Sequence, residues 1–196
     1  MVRLAPAPAA KQAEVENELA LIAAAMGFAP NSLKLMAHQP NMVRGFVAMA
    51  GAFLGPGSTL PPTLRQMIAY KTSAAAGCSY CQAHTAHGAE KAGLSQDKID
   101  ALWDHENSDL FSDAEKAALT LADAAGKVPN GSTDAHFEAL AVHYSEQEIA
   151  EIVGVIAMFG FLNRWNDTLA TLLEPTPRAF ADELLAKTGW EVGNHG

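Results

Sequence analysis

Both cysteines of the chain lie in one short segment, residues 77–88, with the sequence GCSYCQAHTAHG. On a helix each residue turns the chain by about 100°. One face of such a helix collects four of these side chains, those of Cys78, Cys81, His84 and Thr85. His87 lies about 120° away from that face. The spacing therefore predicts a cluster of two thiols and one imidazole, and it places His87 towards a different neighbour.

Two thiols and an imidazole on one face are the groups that thiol redox chemistry needs. Only the thiolate attacks a peroxide or a disulfide, and a helix that starts at the cysteines would stabilise it through free N–H groups and its dipole. His84 could accept the proton of Cys81 and then pair with the thiolate. The second cysteine could close a disulfide before over-oxidation to sulfinic acid. We therefore predict a redox-active pair.

Two other interpretations of the cysteine pair were weighed. A structural zinc site needs four converging ligands, usually from two separate elements, and the chain has no second cysteine pair. We therefore assign no metal. Two inert buried cysteines are the second alternative, because free cysteine often packs as a small hydrophobe. A histidine on the same face makes this less common by chance, so the redox interpretation is preferred.

Composition excludes several classes of function. The 196 residues are 49% hydrophobic and carry a net charge of −9, which fits one soluble globular domain. The acidity and the lack of a Lys/Arg cluster argue against nucleic acid and membrane surfaces as partners. No apolar stretch is long enough to span a bilayer, and no secretory signal is evident. Two cysteines in such a chain fit the reducing cytoplasm.

The positions of proline, glycine and helix-capping residues along the chain predict an all-α protein. No run alternates with a period of two, and no Gly-rich phosphate loop follows a strand, so no cofactor is expected. Two capping boxes, Ser112–Glu115 and Ser145–Glu148, open helices. Helices are predicted over residues 11–26, 30–38, 42–54, 61–77, 78–92, 112–127, 145–172 and 176–187, with a short one after Ser95. We predict a single-domain helical bundle of about nine or ten helices.

This domain is expected over residues 11–190, with a flexible N-terminal arm over 1–10 and a tail over 191–196. The stretch 149–162 is apolar all around its helix, which predicts burial on every side. In a chain of this size that indicates either a central helix or a face covered by another subunit, so we expect a homo-oligomer. Trp103, Trp165 and Phe161 are expected in the core.

The segment LPPTLRQMIAYKTSAAAGCSYCQAHTAHGAEKAG at 60–93 resembles the core of the alkylhydroperoxidase D-like, or carboxymuconolactone decarboxylase-like, family, and most of all its peroxidase-related branch. MGFAPNSLKLMAHQP at 26–40 and FGFLNRWNDTL at 159–169 are similar to further segments of that branch. The resemblance implies an all-α antioxidant oxidoreductase that assembles as trimers or hexamers. It also implies a dithiol reductant protein that reduces the disulfide of the oxidised enzyme back to two thiols. It also implies that Cys81 attacks the hydroperoxide and that Cys78 resolves the product as a disulfide. The helix dipole alone would favour Cys78 as the more acidic sulfur.

The motif departs from the family at two relay positions. The relay glutamate is replaced by Gln66, which cannot take a proton. The place of the relay histidine is taken by Thr85, and His84 stands one residue earlier. These departures predict slow peroxide reduction, or exchange with a dithiol partner instead.

Three polar residues on the late helix are candidates for the thiol pocket. Asn163 and Asp167 share a face, and Arg164 and Asp167 could form an i,i+3 ion pair. They could equally satisfy one another at a subunit boundary. Arg164 would be the cationic anchor for a carboxylate in the first alternative function, a cysteine-independent lyase acting on a lactone acid. The second alternative is a non-enzymatic oligomer whose assembly responds to a disulfide.

Overall fold

Eleven α-helices and no β-strand make up residues 2–196, the part of the chain that the computed structural model describes. The helices are α1 Ala9–Ala13, α2 Glu16–Met26, α3 Asn31–Met36, α4 Pro40–Leu54, α5 Pro62–Ala76, α6 Ser79–Lys91, α7 Gln96–Asp100, α8 Asp113–Gly126, α9 Asp134–Ala141, α10 Glu146–Leu169 and α11 Pro175–Leu184. Short 3₁₀ turns span Ala101–Asp104, Ala186–Thr188 and Gly193–His195. The all-α prediction is confirmed.

Helix α5 forms the centre of the molecule, because α6, α8 and α10 all pack against it. Its buried residues follow one another almost without interruption from Leu64 to Ser73. Two polar residues of that run donate hydrogen bonds within the helix: the Thr72 hydroxyl to the Ile68 carbonyl and the Ser73 hydroxyl to the Ala69 carbonyl. A helix can be buried in this way only when its polar side chains find such partners.

The long helix α10 is not buried on every side within the single chain, so of the two alternatives predicted for it the central helix is excluded and a face covered by another subunit is left. Ile152 and Val155 are fully buried against the core, but Val153 and Phe161 each keep 39% of their surface exposed. The expectation that Trp103 and Phe161 lie in the core is wrong, since Trp103 is 68% exposed and Phe161 39%. One apolar face of α10 therefore remains open in the single chain.

Both ends of the chain pack against the domain, which differs from the flexible arm and featureless tail expected over 1–10 and 191–196. The N–H groups of Arg3 and Ala7 donate to the carbonyls of Leu169 and Lys34. At the other end, the His195 side chain is 1% exposed. Neither segment carries a periodic pattern, so their packing could not be predicted from the sequence.

Two helix boundaries also differ from the sequence-based expectation. The predicted helix over 11–26 is two helices, because the chain leaves helical geometry at Val15. Helix α9 was not predicted. In its first turn the Thr133 N–H donates to His136 Nδ1 at 3.0 Å, and the usual capping box has Glu or Gln at the position of His136.

Among residues 2–196, none of the helices has the length and apolar composition that crossing a membrane requires.

Candidate active site

The two cysteines lie where α5 ends and α6 begins. Gly77 adopts a left-handed conformation with φ 76°, which ends α5, and Cys78 N–H donates to the carbonyl of Ser73. Cys78 is the N-cap of α6, and its Sγ accepts the backbone N–H of Cys81 at 3.4 Å. The first sulfur therefore occupies the position at which a helix presents free donors to an anion.

Both thiols are free and buried, with 0% exposure at Cys78 and 2% at Cys81. The hydrogen bond with Cys81 and burial raise the pKa of the Cys78 thiol well above its ordinary value, and the interaction with His195 only partly offsets this rise. Cys81 Sγ accepts a hydrogen bond from Asn166 Nδ2 at 3.6 Å, a contact that the sequence analysis did not anticipate. The two sulfurs thus have different partners.

His84 faces a buried carboxylate. Its Nε2 lies 2.6 Å from Glu174 Oε2, while Glu174 Oε1 accepts the Tyr80 hydroxyl at 2.9 Å and the backbone N–H of Asn31. Burial by itself raises the pKa of Glu174, but the hydrogen bond and charge of His84, helped by the Asn31 N–H, outweigh it and hold the pKa below its usual value. The His84 ring stacks on Tyr80 with centroids 4.4 Å apart.

The expected pairing of His84 with Cys81 does not form in the described residues. The Nε2 atom of His84 is engaged by Glu174, and no hydrogen bond joins the ring to Cys81. The shift of the histidine by one position around the helix accounts for this, since each position turns the side chain by about 100°. His84 is therefore oriented by an acidic residue that lies 90 positions later in the chain.

A second histidine–carboxylate pair lies near Cys78. His195 Nε2 lies 2.9 Å from Asp167 Oδ1, and His195 Nδ1 lies 2.8 Å from the carbonyl oxygen of Thr171. Burial by itself lowers the pKa of His195, but the hydrogen bond with Asp167 and the interactions with Cys78 and the Thr171 carbonyl outweigh it and raise the pKa to about 9. This second pair therefore places an acid–base group near the sulfur of Cys78.

Residues of the types that bind metals also meet here. The ligand atoms of Cys78, Asp167 and His195 all lie within 4.8 Å of one another. A closed zinc site needs four ligands, and the short contact between Asp167 and His195 is that of a hydrogen bond. A metal bound to these groups would compete with thiol chemistry at Cys78.

The other predicted residues of the cysteine helix have structural contacts. Thr85 Oγ1 donates to the carbonyl of Cys81 at 2.8 Å. Gln66 packs where α5 crosses α6, so closely that a Cβ on Gly88 would lie 2.7 Å from its Oε1. His87 packs against Phe180 of α11, with ring centroids 5.5 Å apart, and burial lowers its pKa. None of the three is joined to a cysteine sulfur by a hydrogen bond among the described residues.

The three candidates on α10 form no hydrogen bond or ion pair with one another in residues 2–196. The expected ion pair between Arg164 and Asp167 is absent from residues 2–196, because Asp167 faces His195 and Arg164 Nη1 donates to the carbonyl of Gly160. Asn163 Nδ2 lies 3.5 Å from the carbonyl of Thr72 and so ties α10 to α5. All three line one cavity of about 860 Å³ between α5, α8 and α10. That cavity is otherwise largely apolar and reaches the site at Asp167 rather than at a sulfur.

Sequence reasoning missed Asn166, Glu174 and His195. Asn166 lies next to Asp167 in residues 159–169, the late-helix segment that carries the family resemblance. The sequence therefore indicated this segment but did not single out Asn166. Glu174 directly precedes a proline that starts α11, and an acidic residue at a helix start is an ordinary capping signal. His195 lies in the short 3₁₀ turn Gly193–His195, where no periodic pattern marks it.

Comparison with known proteins gives consistent results. Residues 40–124 match the model of the carboxymuconolactone decarboxylase family. The protein YnjA of Escherichia coli K12, itself uncharacterized, is 33% identical over 112 residues, which cover 57% of this chain and 62% of YnjA. The alignment thus spans less than two thirds of that curated relative.

Solved structures are similar over almost the whole chain. The debrominase Bmp8, in complex with 2,3,4-tribromopyrrole and with one cysteine replaced by alanine, is 33% identical with a TM-score of 0.83, covering 91% of this chain and 95% of Bmp8. A peroxidase-related protein of Ralstonia eutropha JMP134, described as an alkylhydroperoxidase AhpD core, is 25% identical with a TM-score of 0.78, covering 92% and 95% of the two chains.

Proposed function

The chain belongs to the carboxymuconolactone decarboxylase family, and from that premise we propose that it is a thiol-dependent oxidoreductase that reduces hydroperoxides. The observation that carries the proposal is the pair of free thiols at the start of α6, Cys78 and Cys81. One histidine–carboxylate pair, His195 with Asp167, lies near Cys78, and a second begins at His84 on the same helix as the cysteines. Two cysteines at this spacing can close a disulfide with little movement of the backbone.

In the first step the thiolate of Cys81 attacks the terminal oxygen of the hydroperoxide. The S–O bond forms as the O–O bond breaks, so Cys81 becomes a sulfenic acid and the alkoxide takes a proton and leaves as an alcohol. Asn166 supports this assignment, because an amide N–H that donates to Sγ stabilises negative charge on sulfur. The raised pKa of Cys78 keeps that second thiol protonated at this stage.

In the second step Cys78 attacks the sulfenic sulfur, the Cys78–Cys81 disulfide forms and water leaves. An external dithiol protein then reduces the disulfide and is itself oxidised. His84 serves the first step: while Glu174 is ionised it holds a proton on Nε2, which leaves Nδ1 for proton exchange near the substrate. Glu174 thus takes the place of the acidic residue that is missing at Gln66.

The test mixes the reduced protein with an organic hydroperoxide such as tert-butyl hydroperoxide and follows free thiols and alcohol formation. We expect rapid loss of two thiols with a Cys78–Cys81 disulfide found by mass spectrometry, and no turnover by Cys81→Ser. Thiols that persist while a small free thiol is oxidised would contradict the proposal. Turnover of a lactone acid by a variant without either cysteine would indicate lyase chemistry instead.

Reductive debromination is a second candidate, which the likeness to the debrominase Bmp8 favours. The same dithiol would convert a carbon–bromine bond to carbon–hydrogen while the two thiols become a disulfide, with bromide and a proton released. The partly apolar surroundings of the site suit a halogenated aromatic ring as well as an alkyl hydroperoxide.

Parallel assays with a bromopyrrole and a hydroperoxide, both with excess dithiothreitol, separate the two candidates. Bromide release that depends on Cys81, together with hydroperoxide turnover no faster than that of free dithiothreitol, would assign the chain to debromination.

A further inference from the structure

The surroundings of His195 fix its protonation. Nδ1 faces the carbonyl oxygen of Thr171 at 2.8 Å, and a carbonyl only accepts, so this nitrogen carries a proton. Nε2 faces the carboxylate of Asp167 at 2.9 Å, which when ionised also only accepts. Both ring nitrogens therefore carry protons, and the ring is a buried imidazolium.

We propose that His195, held by Asp167 and Thr171, is a catalytic residue that pairs its positive charge with the Cys78 thiolate and exchanges protons in the disulfide-forming step. This inference rests on the proposed thiol function. It assigns a role to a residue that lies outside the recognised cysteine motif and contacts its first sulfur only in the folded chain, where the Cys78, Asp167 and His195 polar atoms lie within 4.8 Å of one another.

The step balances without a further reactant. Cys78 Sγ–H loses its proton and attacks the sulfenic sulfur of Cys81; the S–S bond forms and the S–O bond breaks. The departing oxygen takes the Nε2 proton of His195 and leaves as water, and the proton lost by Cys78 restores the imidazolium. The hydrogen bond with Cys81 and burial raise the pKa of Cys78, and the interaction with His195 is the contribution that lowers it.

The charged and titratable groups around His195 support this role. Asp167 faces it from α10, Cys78 and Tyr80 face it from the start of α6, and the Arg3 guanidinium donates to the Asp167 backbone carbonyl at 3.2 Å. Their balance keeps the ring charged through neutral pH, in agreement with its raised pKa of about 9.

The two histidines accordingly have separate tasks. Tyr80 lies between them, with its ring 4.4 Å from that of His84 and 5.7 Å from that of His195. His84 belongs to the Glu174 side of the site and His195 to the Cys78 side. A defect at His195 is therefore expected to affect resolution of the oxidised enzyme rather than the first attack on substrate.

The direct test measures ionisation of Cys78 alone, in a Cys81→Ser background, from the ultraviolet absorbance of the thiolate as a function of pH, with EDTA present. Adding His195→Gln is expected to move the midpoint to higher pH by about one unit or more, which is about tenfold less thiolate at any pH below the midpoint. Asp167→Asn, which keeps the imidazole, is expected to act in the same direction. The matched control is His143→Gln at an exposed position.

An unchanged midpoint in both His195→Gln and Asp167→Asn, with circular dichroism showing intact folding, would overturn the inference. In the two-cysteine protein, His195→Gln is expected to accumulate Cys81 sulfenic acid after one equivalent of hydroperoxide and sulfinic acid after a second equivalent, as read by mass spectrometry. If the unsubstituted protein does not reduce hydroperoxides, the proposed function is wrong. The absorbance titration still decides whether His195 lowers the pKa of Cys78.

Discussion

At the scale of single residues, one buried carboxylate organises half of the site. Glu174 is 5% exposed and accepts hydrogen bonds from Asn31, Tyr80 and His84, which belong to α3 and α6. A buried carboxylate is costly unless donors of this kind surround it. The same contacts that keep Glu174 ionised also orient His84.

We therefore expect Glu174→Gln to slow hydroperoxide reduction by about tenfold or more, because His84 loses the group that fixes its tautomer. The native pKa lies below its unfolded value, so the carboxylate stabilises the fold above about pH 4.5, and that contribution disappears as the pH falls through the native pKa. Urea unfolding near neutral pH should show a loss of about 1–3 kcal/mol in the variant.

The difference between Glu174→Gln and the unsubstituted protein should shrink when the urea experiment is repeated in acid. A stability difference that grows on acidification would mean that Glu174 is protonated in the native state.

The sequence predicts those members of the site that are close together in the chain. Cys78, Cys81 and His84 follow from helical spacing, and the structure places them on the same short helix. Glu174 and His195 reach them only through tertiary packing, which no local pattern specifies. For the same reason the acidic partner was looked for at Gln66, inside the motif, rather than ahead of α11.

At the scale of elements, the site depends on how α5 and α8 pack. Gly126, at the end of α8, lies against α5 so closely that a Cβ there would be 2.7 Å from the backbone oxygen of Thr72 and 2.9 Å from Ala75. A backbone atom cannot move aside as a flexible side chain can. Helix α5 leads directly into Gly77 and the cysteines, so displacement at Gly126 would disturb the site.

Gly126→Ala is accordingly expected to lower the free energy of unfolding by about 1–3 kcal/mol through overpacking. The matched control is Gly51→Ala within α4, where an added Cβ meets nothing within 4 Å. This control should stabilise the fold by about 0.5–1 kcal/mol, because alanine favours helix over glycine. Chemical unfolding measures both, and equal effects would contradict the packing argument.

Elements with explicit end signals were predicted well. The Ser112 and Ser145 capping boxes form, and glycine ends α2 and α5 in the left-handed conformation. The break at Val15 was missed because Glu14, Glu16 and Glu18 favour a helix on both sides of it. Val15 is buried in a second small core with Leu33 and Val43. Tertiary packing there overrides helical continuity.

At the scale of the whole molecule, the open face of α10 is an apolar surface. Four partly exposed hydrophobic side chains line its cavity, namely Val128, Phe137, Val153 and Phe161. A surface of this kind is unusual on a monomer. The proposal that the chain forms a homo-oligomer thus rests on exposed side chains as well as on sequence composition.

Light scattering is expected to give a mass that is a multiple of the 20.7 kDa chain. Phe161→Glu should shift it towards the monomer, because a charge on a buried apolar surface is costly without a partner. Val142→Glu, at an exposed position outside the cavity, is the control. A monomeric unsubstituted protein would contradict the proposal.

The way Glu174 and His195 join the cysteines has a consequence for synthesis. While the ribosome is still synthesising the segment that follows α6, Glu174 and His195 have not yet been added to the chain. The thiols of Cys78 and Cys81 then lack these two neighbours. Under the proposed function, catalytic reactivity towards hydroperoxides is acquired only when the late segments are translated and pack onto the earlier helices. The growing polypeptide is thereby spared premature oxidation at its most sensitive atoms.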